Sequence, residues 1–167
     1  MIGYHANDGK RCLEFVENQN FLIIDNQDTD FLGCGMYFWE HLSRAQWWKK
    51  EKNKEMITKA ELNLTNMLDL TDDEVAGYVE VIADKLTSAM NRKGIKQHQI
   101  GLKLDYLFES CKCFSDRYSS IRANYYYKKK QESVFFYGFK FTNACIDIYS
   151  IRNKPELVTN REVVNYE

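Results

Sequence analysis

The chain has 167 residues, of which 44% are hydrophobic and 28% charged, and its net charge is −1. This length and balance are typical of one compact domain with a sizeable core, so we expect a single domain over residues 1–167. A net charge so close to zero excludes an overall field that recruits nucleic acid or an anionic membrane, but it leaves a local basic patch open. No apolar run approaches the roughly 20 residues that span a bilayer.

The cysteines indicate a reducing compartment. There are five of them, an odd number without the density of a disulfide framework. The first residues show no charged leader followed by an apolar segment, so we expect a cytoplasmic protein with reduced thiols and no membrane attachment. Cys111 and Cys113 could hold one edge of a metal site. No second Cys or His pair has matching spacing, and we therefore expect no metal.

The N-terminal part of the chain predicts a mixture of strands and helices. A strand is expected over residues 1–6, a short helix and an extended segment over 11–23, a loop over 25–35, a helix over 41–53 and a strand around 57–64. In the 41–53 helix, Leu42, Ala45 and Trp48 share one face.

The strongest helical pattern follows an acidic turn. Thr71 or Asp72 is a suitable N-cap for it, and Gly94 is a suitable stop. Between them, apolar residues recur at steps of three and four: Val75, Val79, Ile82, Leu86 and Met90. A further helix is expected over residues 99–112.

The C-terminal part is rich in β-branched and aromatic residues. Three segments, 120–129, 133–141 and 143–151, are typical of strands separated by turns. This order favours an α+β fold with a largely antiparallel sheet over a doubly wound α/β fold.

Several residues near the N-terminus could serve structure or chemistry. Taken alone, His5 is typical of a core or turn histidine, and Tyr37 of an aromatic in a buried strand. Glu40 and Ser43 would cap a helix and contact solvent, and Arg44 would be one of several surface arginines. Their combination carries more information than any one of them.

Two short motifs follow each other in the N-terminal part of the chain. The first is His5-Ala6, at the end of the first predicted strand. The second is Gly33-Cys34-Gly35-Met36-Tyr37-Phe38, which is followed by Ser43 and Ala45 in the next helix. The combination of these two motifs resembles that of the ADP-ribosyltransferase fold, in the diphtheria-toxin and poly-ADP-ribose-polymerase branch. There the first motif reads His-Gly-Ser/Thr and the second Gly-x-Gly-Ile-Tyr-Phe, with a serine in the following helix. Ala6 stands where that family usually has glycine.

Further landmarks are similar to a group of small bacterial proteins of this fold. In order, they are Leu32–Glu40 with Arg44, Ala45 and Trp47, then Leu68–Asp72, Tyr118–Arg122 and Ile151–Asn153. The resemblance therefore covers most of the chain. It implies split, largely antiparallel β-sheets with a few flanking helices.

The resemblance also implies an activity, mono-ADP-ribosylation with NAD as the substrate. It places these residues around NAD: His5, Ala6, Gly33, Gly35, Tyr37, Phe38 and Ser43. By that resemblance His5 would donate to a ribose hydroxyl, Tyr37 would stack on the nicotinamide, and Ser43 would bind its carboxamide. Gly33 and Gly35 would let the backbone turn tightly beside the ligand.

The third catalytic position is less well defined by sequence. The family has a glutamate or a substitute on a late strand, where this chain offers Asp147, with Cys145 and Tyr149 on the same face. The alternative interpretation of Asp147 is a strand acid that faces solvent. Glu132, in a predicted turn, is the second candidate for the catalytic position.

The acceptor of ADP-ribose would be a protein, RNA or DNA, as in bacterial toxins with a paired antitoxin or in phage-defence effectors. Two lysine-rich runs, Lys49–Lys54 and Tyr125–Lys130, could bind a nucleic-acid backbone, or they could be solvated surfaces. The main alternative is a catalytically silent module of the same fold that binds NAD, ADP-ribose or a partner. A third possibility is an unrelated fold whose tryptophans only fill the core.

Overall fold

A computed structural model describes residues 1–24, 31–89, 99–126, 133–136, 139–142 and 145–165. Its helices are α1 (Gly9–Glu17), α2 (Leu42–Glu51), α3 (Asp73–Ala89), α4 (Ile100–Ser110) and α5 (Lys112–Arg117). Its strands are β1 (Ile2–Asn7), β2 (Met36–Trp39), β3 (Met56–Leu62), β4 (Met67–Asp69), β5 (Ser120–Tyr126), β6 (Ser133–Phe136), β7 (Phe139–Thr142), β8 (Cys145–Ile151) and β9 (Val158–Val163).

Seven strands form one sheet in the order β4-β5-β8-β2-β1-β3-β9. All neighbours are antiparallel except β4 and β5. The predicted α+β class with a largely antiparallel sheet is confirmed. The assignment of this sheet to the ADP-ribosyltransferase fold stays a prediction.

Residues 133–141, predicted as one strand, instead contribute two strands, β6 and β7, that pair with each other. The register places Phe136 opposite Phe139. Two residues link these strands, and the second is glycine, a composition typical of tight hairpins. The sequence prediction did not divide this segment because apolar residues occur in both strands.

The large sheet is nearly divided between β1 and β2. β1 pairs with β3 along its whole length, from Ile2 to Asn7. With β2 its register, in the described residues, holds the single pair Tyr4 and Trp39. The sheet thus consists of two halves, β4-β5-β8-β2 and β1-β3-β9, joined by a short contact.

Each face of the sheet has its own core. One face, here called the four-helix face, packs against α2, α3, α4 and α5. Its strand residues include Ala6, Trp39, Ile57, Ile121 and Ile148. The other, here called the α1 face, packs against Cys12 and Phe15 of α1 and the segment around residue 22. Its strand residues include Met36, Phe38, Leu62, Tyr149 and Ile151.

Two local predictions about helices are confirmed. Asp72 caps α3, since its Oδ1 accepts from the backbone N–H groups of Glu74 and Val75 at 2.9 and 3.1 Å. In α2, Ala45 is buried and Trp48 packs against Trp39 with ring centroids 5.6 Å apart. The expected helix stop at Gly94 lies outside the described residues.

A buried arginine ties the C-terminal strand to the segment that follows α1. Arg161 on β9 is 6% exposed, and its guanidinium lies 4.5 Å from the Phe15 ring centroid. It donates to the backbone carbonyls of Phe15, Asn18, Gln19, Phe21, Pro155 and Val158.

Among the described residues, no helix combines the length and apolar character needed to cross a bilayer.

Candidate functional site

His5 bridges the two halves of the sheet where β1 and β2 separate. Its Nδ1 donates to the carbonyl oxygen of Tyr37 at 2.7 Å, and its Nε2 accepts from Nδ2 of Asn7 at 3.1 Å. The backbone N–H of Asp8 donates to Oδ1 of Asn7 at 2.9 Å, which fixes the orientation of that amide. Because the Tyr37 carbonyl only accepts and the Asn7 amide nitrogen only donates, the imidazole is the neutral Nδ1–H tautomer.

The surroundings of His5 keep it neutral. Its pKa is lowered from 6.5 to about 4, mainly by burial and to a smaller extent by the positive charges of Arg11 and Lys54, against the opposing effect of the hydrogen bond to the Tyr37 carbonyl. At neutral pH the ring therefore offers a lone pair at Nε2. A ligand hydroxyl that replaced Asn7 at this atom would donate to His5, which reverses the direction that the resemblance implied, because the Nδ1 proton is used by the Tyr37 carbonyl.

The Tyr37 ring lies on the four-helix face. Its register partner is Ser150 of β8. The hydroxyl donates to the carbonyl oxygen of Gly33 at 2.6 Å, and the ring stacks on Phe31 with centroids 6.1 Å apart and planes 21° apart. The ring is half-buried, so the hydrogen bond and the stacking contact together fix its position.

The two glycines before Tyr37 are in close contact with other parts of the chain. Gly33 has φ +73°, and a side chain there would meet the Asp105 carboxylate and the Gly101 carbonyl of α4. A side chain at Gly35 would meet the hydroxyl of Ser150. These contacts explain both glycines by packing, and their predicted proximity to a ligand stays a prediction.

The sequence did not predict the ion pair that holds this glycine loop. Asp105 of α4 accepts from the N–H of Cys34 at 2.8 Å and pairs with Arg152. Arg152 also donates to the Leu32 carbonyl at 3.1 Å and lies 4.2 Å from the Phe108 ring centroid. Arg152 belongs to the Ile151–Asn153 landmark of the sequence resemblance, and this landmark was the only signal in the sequence that could have indicated the ion pair.

Three other predicted residues take different positions. Ala6 is buried on the four-helix face opposite Ile57, and it therefore shares a face with Tyr37. Phe38 is buried on the α1 face, with its ring centroid 5.9 Å from that of His5. Ser43 lies exposed in the first turn of α2.

Asp147 lies on the α1 face and not on the face that carries the Tyr37 ring. Tyr37 is registered opposite Ser150, and side chains alternate along β8, so Asp147 points the other way. It shares its face with Tyr149, as predicted. Glu132 and the side chain of Cys145 lie outside the described part of the structure.

The Asp147 carboxylate is part of an acid–base–acid cluster across three strands. Its Oδ2 pairs with Nη2 of Arg122 at 2.5 Å, and Nη1 of Arg122 pairs with Oδ2 of Asp69 at 3.2 Å. The hydrogen bond to Asp147 raises the pKa of Arg122 above its ordinary value. Burial alone would raise the pKa of Asp69, but hydrogen bonds from Thr71 and the charge of Arg122 lower it.

Tyr149 lies beside this cluster and is almost fully buried. Burial raises its pKa, and the negative charge of Glu40 adds to the effect. The Nε atom of Arg122 is buried without a hydrogen-bond partner in the described residues. The α1 face therefore carries a fixed array of opposite charges beside Tyr149, which is the register partner of Phe38.

Within the described residues, no group of three or more His, Cys, Asp or Glu side chains is arranged to hold a metal ion. Comparisons of the chain with protein-family models, with curated proteins and with solved structures found no match.

Proposed function

We propose that the chain is a mono-ADP-ribosyltransferase that transfers ADP-ribose from NAD to a protein or nucleic acid in the cytoplasm. The observation that carries the proposal is the hydrogen bond between His5 Nδ1 and the Tyr37 carbonyl. It joins the two motifs of the sequence resemblance at the place where the sheet separates into halves. We place a bent dinucleotide at this separation.

The face of the sheet on which each residue lies determines the role that we assign to it in NAD binding. Ala6 and Tyr37 would contact the nicotinamide on the four-helix face, where the half-buried Tyr37 ring offers a stacking surface. Ser43, at the start of α2, would bind the carboxamide. His5 would accept a hydrogen bond from a ribose hydroxyl at Nε2, because its Nδ1 proton is used by Tyr37.

Asp147 would act on the positive charge that develops on the ribose as nicotinamide leaves. Arg122 holds the carboxylate through Oδ2, so this role falls to Oδ1. Bond breaking between the ribose and nicotinamide is followed by attack of the acceptor nucleophile on the same carbon. The ligand would have to contact both faces of the sheet beside His5.

Transfer is tested with NAD labelled in its adenylate half and a cell lysate as the source of acceptors. Wild type is expected to release nicotinamide and to label protein, RNA or DNA, whereas His5→Ala and Tyr37→Ala are expected to lose both activities. Tyr78→Ala is the matched control, since Tyr78 is 69% exposed on α3. Equal activity of Tyr37→Ala and Tyr78→Ala would contradict the proposed role of Tyr37.

A second candidate function is a catalytically silent binding module. Two observations favour it: the Asp147 carboxylate is paired with Arg122 on the face away from Tyr37, and alanine occupies position 6. Saturable NAD or ADP-ribose binding without nicotinamide release would support this module over the enzyme. Asp147→Asn separates them further, because it would lower turnover in an enzyme and leave binding by a silent module intact.

The biological role that best accompanies the proposed activity is that of a bacterial toxin, with a possible antitoxin, or of a phage-defence effector. Induction of the wild-type chain in bacteria would then arrest growth, and Tyr37→Ala would restore it at equal protein level. Growth arrest by both proteins would assign toxicity to something other than ADP-ribosylation.

A further inference from the structure

A pair of thiols lies at the junction of α4 and α5, away from His5 and Tyr37. Cys111 ends α4 and precedes α5, and Cys113 lies in the first turn of α5. Their Sγ atoms are 3.1 Å apart. A disulfide has an S–S distance of about 2.05 Å, so the two sulfurs would close by only about 1 Å on oxidation.

Both thiols are accessible to a reagent. Cys113 is exposed and Cys111 is partly exposed, whereas Cys12 is fully buried in the core of the α1 face. Burial also raises the pKa of Cys12 to about 11, which keeps it protonated and unreactive. The chain thus contains an internal reference for any thiol reaction at the α4–α5 junction.

The contact between the two sulfurs changes the ionisation of Cys113. The hydrogen bond with Cys111 raises the pKa of the Cys113 thiol above its ordinary value. The Cys113 thiol therefore holds its proton more firmly than an ordinary cysteine thiol does. Because the two sulfurs are only 3.1 Å apart, one can act as the nucleophile and the other as the resolving thiol of a disulfide exchange.

The pair borders a groove that offers a positive charge. The groove lies between α3 and α5, has a volume of about 480 Å³, and is lined by Tyr78, Ile82, Cys111, Cys113 and Arg117 among others. Arg117 is one helical turn beyond Cys113, and its guanidinium lies 5.3 Å from the Tyr118 ring centroid. Glu74 lies on the α3 side of the same groove.

We propose that Cys111 and Cys113 form a dithiol that is oxidised reversibly to an intramolecular disulfide by an anionic low-molecular-weight disulfide of the glutathione class. The inference is independent of the proposed transferase activity. Arg117 favours a carboxylate-bearing reagent over a cationic one.

The exchange proceeds in two balanced steps. The Cys111 thiolate attacks one sulfur of the small disulfide, forms a mixed disulfide and releases one small thiolate. The Cys113 thiol then loses its proton and attacks Sγ of Cys111, which releases the second small thiol. Two protein thiols are oxidised, and one small disulfide is reduced to two thiols.

Peptide mapping tests the proposal directly, because Lys112 separates the two cysteines. Trypsin cleaves after Lys103, Lys112 and Arg117, which places Cys111 and Cys113 on adjacent peptides. After the full chain is equilibrated in a glutathione redox buffer, we expect these two peptides to be linked by a disulfide. Dithiothreitol is expected to separate them, and Cys12 is expected to stay unmodified in the folded protein.

Variants give the matched controls. Cys34→Ser is expected to retain the link, whereas Cys111→Ser is expected to abolish it. Arg117→Gln is expected to slow oxidation by glutathione disulfide several-fold but not oxidation by the cationic disulfide cystamine. Absence of the linked peptides in wild type at every oxidising buffer ratio would overturn the dithiol, and equal slowing with both reagents would overturn the anionic preference.

Discussion

At the scale of single residues, His5 combines a structural and a proposed chemical role. Its Nδ1 proton replaces a backbone hydrogen bond between β1 and β2, and burial keeps it from gaining a second proton at neutral pH. The same bond leaves Nε2 as the only ring atom that can exchange Asn7 for a ligand. Protonation of His5 would place a positive charge in the core beside Phe38.

Acid should therefore destabilise the protein through His5. Its pKa is about 4 in the folded state and 6.5 in the unfolded state, so the unfolded state binds more protons between these values. Stability is complete above pH 6.5 and falls as the pH drops towards 4, by about 3 kcal/mol for a shift of this size. Denaturant unfolding at several pH values measures this loss.

The control for this pH effect is His5→Gln, which keeps a donor and an acceptor but does not titrate. Carboxylates such as Asp69 add their own acid sensitivity to both proteins, so the difference between wild type and variant reports His5. An identical pH dependence in the two proteins would show that His5 does not carry the predicted shift.

Gly33 should tolerate no side chain. Its φ of +73° disfavours L-residues, and a Cβ would meet Asp105 and a backbone oxygen at 2.5 Å. We expect Gly33→Ala to lower the free energy of unfolding by about 2 kcal/mol or more. Gly77→Ala, in α3 with open space around its Cα, should instead stabilise by about 0.5–1 kcal/mol. Destabilisation of both variants by the same amount in thermal unfolding would refute the predicted contrast.

At the scale of elements, the protein depends on polar links between segments that are distant in sequence. Arg161 joins β9 to the segment after α1, and Asp105 with Arg152 joins α4 to the glycine loop. Arg122 links β4, β5 and β8 through its two carboxylates. These links set the positions of the loops around the candidate site, while the apolar cores set the positions of the helices.

Removal of the Arg161 guanidinium should loosen the segment after α1. Arg161→Met keeps the apolar stem over Phe15 but leaves buried carbonyl oxygens without donors, at an expected loss of about 3 kcal/mol. Lys59→Met, which removes an exposed ion pair with Glu162, should change stability little. Urea unfolding of the two variants compares a buried with an exposed cation, and similar losses would contradict the role given to Arg161.

Element type could be predicted from sequence where a pattern was long and periodic. The apolar spacing in α3 and the alternation in β3 were sufficient, and Asp72 was correctly identified as a cap. β4 has three residues, too few for a period to emerge, and β9 alternates poorly because the buried residue at its centre is Arg161. Burial of a cation by backbone carbonyls leaves no sequence signal.

In the candidate site, the face of a residue within one strand could be predicted from sequence, but the geometry between strands could not. Alternation along β8 correctly placed Asp147 and Tyr149 on one face. Which face the Tyr37 ring occupies depends on the register between β2 and β8, and register arises from non-local pairing. For the same reason the tautomer of His5 could not be deduced, since it depends on a carbonyl 32 residues away.

At the scale of the whole molecule, the near-division of the sheet is the feature that relates fold to function. Two half-sheets share one short contact, and both motifs of the sequence resemblance lie at that contact. The two cores on opposite faces hold the halves in place. A dinucleotide bound there would contact residues from both halves.

NAD should therefore bind and stabilise the folded chain. A ligand that binds only the native state at a hundred times its dissociation constant adds about 2.7 kcal/mol. We expect NAD to raise the melting temperature of wild type and to leave that of Tyr37→Ala unchanged. Adenosine monophosphate is a suitable control, because it lacks the nicotinamide that Tyr37 would contact.

The most direct measurement is nicotinamide release from NAD by the purified full chain, followed by chromatography, with Tyr37→Ala and Tyr78→Ala in parallel and folding checked by thermal unfolding. An ADP-ribosyltransferase predicts release by wild type and Tyr78→Ala and its loss in Tyr37→Ala. Folded wild-type protein that neither binds NAD nor releases nicotinamide, with or without a lysate as acceptor, would contradict the proposed function.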